Sequence, residues 1–194
     1  MSRDVYDSID FGMLNVTFLY QCGPVLAGLK ISNLLIIQEK QLSQALSLIT
    51  GAKLQAFMLN NSGGKVTILV YDKAKLEVYL KQKECITFLK NYGHKNLSLN
   101  GILFEIGLRY RVYMRDKSQF PDELGIVLGY PILDVRGYID NNGKNFILNG
   151  YWKVYSNAET TKDLFNKFDE ATEMMIRRLL KGDCIKSIIS KKVA

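Results

Sequence analysis

Cys22 stands directly before Gly23-Pro24, where the amides of a helix start could stabilise a thiolate and make it a nucleophile or metal ligand. The same spacing also places it beside Phe18 and Leu26, where a free cysteine packs as a small apolar residue, and this is the simpler reading. His94 is the only histidine, which excludes a multi-histidine metal site within one chain and restricts imidazole acid–base schemes. With no acid close to it in sequence, His94 reads as a loop residue capping the next helix or facing water. Asp122 and Glu123 follow Pro121, as carboxylates do when they cap a helix start. An acid–base or hard-metal role for Asp122 would need Asp134 or Asp140 to approach it in space. Cys22, His94 and Asp122 are thus the catalytic candidates, and no metal site is assigned.

Two further groups could bind rather than react. Arg109, Arg111 and Arg115 accompany Tyr110 and Tyr113 on one helical stretch, a combination able to hold phosphate while stacking a base. Tyr130, Trp152, Lys153 and Tyr155 belong to a glycine- and aromatic-rich segment, Phe120 to Tyr155, that could line a pocket or a partner surface, although such a strand more often fills a core. There is no Walker A loop, no GxGxxG turn and no GxSxG elbow, so the motifs support neither a nucleotide site nor a hydrolase elbow, and the cofactor is unknown.

The elements that must carry these residues follow from periodicity and turn chemistry. Asn15 to Lys30 has helical apolar spacing, with Pro24 expected at a helix start or kink. A strand-length run, LLII, follows Ser32-Asn33, and Glu39 to Ala52 reads as a helix. KLQAFMLN and KVTILVYD, joined through Asn61-Ser62-Gly63-Gly64, form the clearest hairpin. Residues 73–92 and Leu97 to Arg115 read as helices. Asn157 opens a long amphipathic helix through Leu164, Phe168, Met175 and Leu179 that stops at Gly182. Helices mixed with few strands, without strand–helix repeats, predict an α+β fold: a small sheet containing a hairpin, packed with amphipathic helices and a long C-terminal helix.

At 194 residues, 47% hydrophobic and 23% charged, the chain can build a packed core, and one domain is expected over 1–194, with a core of about 15–182 and a flexible tail at 183–194. No apolar run spans a bilayer, the N-terminus lacks signal-peptide character, and three widely spaced cysteines support neither a disulfide framework nor a zinc pair. A reducing cytoplasmic location without membrane association follows. The net charge of +7 is uneven: residues 71–118 carry ten Lys or Arg against five Asp or Glu, and residues 119–160 carry three against five. A basic face of that kind can attract nucleic acid, but it is also the ordinary surface of a soluble protein.

Cys22-Gly23-Pro24-Val25-Leu26-Ala27-Gly28-Leu29-Lys30, the Tyr92-Gly93-His94 loop, Phe120-Pro121, Gly129-Tyr130-Pro131 and Gly150-Tyr151-Trp152-Lys153-Val154-Tyr155 resemble, in that order, a family of small proteins of unknown function found mainly in anaerobic bacteria. The resemblance runs from about Cys22 to Phe168 and implies a fold and a set of positions, not a reaction. Two positions depart from its pattern. Asp122 stands where members tend to have histidine, and Asn149 where they often have cysteine, so that of any metal or redox set only Cys22 would remain.

Three functions are therefore in play. The first is a cytoplasmic accessory protein binding a small ligand or protein partner, without a catalytic motif. The second is a thiol- or metal-dependent redox or iron-metabolism enzyme using Cys22. The third is phosphate or nucleic-acid binding through the basic central helices.

Overall fold

The computed structural model describes residues 1–190, and the fold is α+β. The chain divides into two compact units, one formed by residues 1–73 together with those from 166 onward, the other by Ala74–Phe165.

The first unit contains α1 (Arg3–Asp7), α2 (Leu14–Leu26), β1 (Ser32–Gln38), a 3-10 turn at Glu39–Gln41, α3 (Leu42–Gly51), β2 (Gln55–Ser62) and β3 (Lys65–Tyr71). It is completed by the later part of α9 (Ala158–Leu180) and by α10 (Ile185–Ser190). The sheet is antiparallel in the order β1-β3-β2, with the β2–β3 hairpin at one side and β1 on the other edge of β3, Leu35 opposite Ile68 and Ile37 opposite Val66. Alternation along β3 turns Val66, Ile68 and Val70 to one face, where they join Phe18, Leu19 and Cys22 of α2, Ile49 of α3 and Met175 and Ile176 of α9 in one apolar cluster. Each such aliphatic side chain contributes roughly 1.5–3 kcal/mol on burial. Gly23 lets α2 approach α9: a Cβ there would overlap the Thr172 side chain and come within 3.1 Å of its Cα.

Two expectations change in this unit. Pro24 lies inside the last turn of α2 rather than at its start, and its carbonyl accepts from the amides of Leu29 and Lys30. The expected flexible tail contains α10, whose Ile188 and Ile189 are buried in the core; residues 191–194 lie outside the described residues.

The second unit contains α4 (Lys73–Leu80, from its second residue), α5 (Lys83–Asn91), α6 (Leu99–Asp116), α7 (Leu124–Val127), α8 (Ile132–Asp140) and the short pair β4 (Leu148–Asn149) and β5 (Lys153–Val154). The expected helix over 73–92 is broken, with Gln82 in an extended conformation. The break shifts the helical phase, so that Cys85, Phe88 and Leu89 are buried while Ile86, on the side of Leu76 in an unbroken helix, is only partly so. Along α6 an apolar stripe faces inward, with Ile102, Leu103, Ile106 and Tyr110 buried and Leu99 at its start partly so. Phe104, Leu108 and Val112 form a second apolar row on this helix that stays exposed.

Candidate functional site

Several helix ends in this chain close alike, and three of them, each with glycine, lie next to candidate residues. After α2, Gly28 adopts φ 74°, its amide donates to the Val25 carbonyl and the Leu29 amide to the Pro24 carbonyl. After α5, Gly93 adopts φ 89°, its amide donates to Lys90 and the His94 amide to Leu89. After α7, Gly129 repeats the arrangement, with the Tyr130 amide donating to Gly125. This is the Schellman closure: a left-handed residue, here glycine each time, lets the next amides turn back onto the last carbonyls.

At the first of these ends the chain returns so that Lys30 is buried near Cys22. The Lys30 ammonium or amine donates to the Ser32 carbonyl at 2.9 Å and to Asn33 Oδ1 at 2.8 Å, and the Asn33 side-chain amide donates to the Gln21 carbonyl. Burial pushes the Lys30 amine down to about 7 and the Cys22 thiol up to about 12. Cys22 has no exposed surface, so the group proposed as a nucleophile is neither accessible nor a thiolate at neutral pH. The C-x-P-x-L-A-G-x-K element is accounted for here as a helix terminus tied to the first strand.

At the second end the closure drives His94 inward, and the expectation of a water-facing or capping histidine is overturned. The side chain is fully buried, with Nδ1 3.1 Å from Glu105 Oε2 and Nε2 3.5 Å from Glu123 Oε1. Neither ring nitrogen reaches hydrogen-bond geometry, and Glu123 Oε2 is likewise buried without a partner. Glu123 does not cap a helix either. Although it occupies the N-cap of α7, its side chain makes no cap hydrogen bond and instead accepts from Arg109 Nη1 at 2.7 Å. Arg109 Nη1 and Nη2 both also donate to the Tyr92 carbonyl at 3.3 Å, and the Tyr92 hydroxyl donates to Asp122 Oδ2 at 3.2 Å. Burial raises the Asp122 carboxyl, and burial followed by the charge of Asp122 pushes the Tyr92 phenol up to about 12.

Beside this cluster opens a cleft of about 520 Å³ whose walls include Tyr92, Leu108, Val112, Phe120 and Pro121, with Arg109 and Glu123 at its base. A volume of this order suits a small organic molecule, and the mix of apolar wall with few polar groups is usual for such sites. Glu105 is not singled out by the sequence, and Glu123 reads there only as a helix cap. The available signals were the second apolar row of α6 and the Glu105–Arg109 spacing of one helical turn.

The remaining candidates lie elsewhere in the second unit and are engaged internally. Trp152 Nε1 donates to Asp134 Oδ2 at 2.8 Å, while Asp134 Oδ1 accepts from the amides of Tyr155 and Ser156 and from the Ser156 hydroxyl, each at 2.9 Å. Tyr130 stacks on Trp152 at 4.9 Å, and Trp152 meets Phe165 edge-on at 4.6 Å. Lys153 Nζ donates to the Gly143 carbonyl at 2.7 Å and lies over the Phe146 ring. Tyr155 packs against Gly137 of α8, where a Cβ would overlap its ring. From the patterned segment, the cleft takes Phe120, Pro121 and Glu123. Arg115 pairs with Asp116 at 3.6 Å, Arg111 has an interaction of its own, and Asn149 is exposed in β4 opposite Lys153.

Among the described residues no group of three or more His, Cys, Asp or Glu could hold a metal ion, and no helix is long and apolar enough to cross a membrane. At His94 the reason is geometric, since the two carboxylates approach opposite ring nitrogens and do not converge on one point.

No curated protein and no solved structure matches the sequence. The repeated helix closures and the Asp134 hub span the elements that carried the resemblance, and over residues 18–189 the sequence matches the family described as protein of unknown function (DUF3793): the chain belongs to that family.

Proposed function

We propose that this protein binds a small organic ligand in the cleft of its second unit, acting as an accessory or binding protein. The observation that carries this reading is the coincidence of an open cleft with a buried, incompletely satisfied polar cluster at its base. Buried polar groups are normally paired, and Arg109 and Glu123 join this incompletely paired cluster to the cleft wall, which gives a ligand's polar atoms something to meet. The exposed row Leu108 and Val112 has the apolar character of a wall rather than of a solvated helix face. All three cysteines are free, in keeping with the reducing cytoplasmic setting expected for such a protein.

The test is a fragment screen read by amide chemical shifts. Fragments should perturb the amides of Tyr92, Leu108, Val112 and Gln119, and Val112→Trp, whose indole would fill the cleft, should abolish those shifts. A screen in which no fragment perturbs these amides, or in which the shifts survive Val112→Trp, overturns the reading.

A further inference from the structure

Resting on the cleft as the binding site, we propose that its ligand is a neutral planar molecule presenting a carbonyl or lactam oxygen to Arg109, not a carboxylate or a phosphate. The guanidinium has five N–H donors in a fixed plane. The Tyr92 carbonyl takes the end between Nη1 and Nη2, and Glu123 takes the outer Nη1–H. The Nε–H and the outer Nη2–H, which share the remaining edge, have no partner among the described residues. Arg109 lines the cleft and is partly exposed, so this edge is the donor pair a ligand can meet.

Charge selects the kind of acceptor. Glu123, fully buried at 2.7 Å, already neutralises Arg109, and Glu105 and Asp122 add two more carboxylates around the same cluster. Within this cluster carboxylates outnumber cations whichever protonation state His94 takes, so an anion at the donor edge gains the two hydrogen bonds but faces a cluster of net negative charge. A cation meets the donor edge of Arg109. A neutral carbonyl accepts from that edge without either cost, and Tyr92 and Phe120 supply aromatic wall against which a flat body can pack.

Four planar probes of similar size test this on the wild-type protein: 2-pyridone, benzamide, benzoate and benzamidine, titrated against the cleft amides. The two carbonyl compounds should bind at least about tenfold more tightly than either ion. Equal or tighter binding of benzoate or of benzamidine overturns the proposal while leaving the cleft as a site; silence from all four, after a fragment screen that also fails, removes the site itself. Arg109→Lys keeps a positive charge beside Glu123 but lacks the two-donor edge, so 2-pyridone should weaken about tenfold. Unchanged affinity for 2-pyridone in a folded Arg109→Lys protein overturns the proposal, and the wild-type series decides it if that variant does not fold.

Discussion

Lys30 in the first unit and the His94 cluster in the second bury polar chemistry in opposite ways. In the first, Lys30 has protein acceptors at 2.9 and 2.8 Å and Cys22 is enclosed by aliphatic side chains, so the pair is closed to solvent and to ligands. In the second, His94 and Glu123 are as deeply buried, yet three of their polar atoms lack hydrogen-bond geometry and a cleft opens beside them. Asp134, also in the second unit, sits with the first kind, every contact of its carboxylate being a well-formed hydrogen bond. Burial alone therefore does not separate scaffold from site. What separates Lys30 and Asp134 from the His94 cluster is that their polar atoms are satisfied by the chain itself.

The largest effect that would sharpen this contrast is at the satisfied hub. Asp134→Ala strips the partner from one indole N–H, two backbone amides and a hydroxyl, and should cost roughly 3–5 kcal/mol in urea unfolding followed through the Trp152 signal. A cost under about 1 kcal/mol would deny it a scaffolding role. Next, Arg109→Ala leaves Glu123 charged and buried and should destabilise by about 2–3 kcal/mol, with Glu123→Gln in the same background recovering part of the loss because the uncompensated charge is gone. No recovery in the double variant would mean that Glu123 is not held as a carboxylate by Arg109.

A smaller effect follows from Lys30. Its folded value of about 7 lies below the unfolded one of 10.5, so between these limits the unfolded chain binds more protons and stability rises with pH. Cys22 acts in the opposite sense, since its thiol is raised from 9.0 to about 12 and its contribution is lost as pH climbs above the lower value. The net expectation is a gain of about 1–2 kcal/mol from pH 7 to 9 and a plateau or decline above it, with the gain absent in Lys30→Met. Stability that falls steadily from pH 7 would contradict a neutral buried amine. Least in energy but sharpest in outcome, a thiol reagent such as Ellman's should label Cys184 in the native protein and reach Cys22 and Cys85 only on unfolding, because only Cys184 is exposed. Native labelling of Cys22 would reopen the thiol reading.

Much of the scaffold was legible before any coordinates. The hairpin through Gly63-Gly64, the buried stripe of α6 and the long helix after Asn157 all follow from local periodicity and turn chemistry. The break at Gln82 was not legible, since neither Lys81 nor Gln82 is a helix breaker. That Arg109 carries a donor-rich planar cation is plain in the sequence, but its pairing with Glu123, which reads there as a helix cap, is not.

Glycines at 28, 93 and 129, apolar spacing along helices and the absence of nucleotide and hydrolase motifs were properties of the sequence alone, because helix closure and amphipathicity involve residues within a few positions of one another. That His94 would meet Glu105 and Glu123, that Trp152 would be held by Asp134, and that Lys30 would come to rest by Cys22 were decided only by the tertiary structure. Each pairing joins residues from different elements or across a turn, and the electrostatics of each depend on burial and partner geometry, which emerge only once those elements pack.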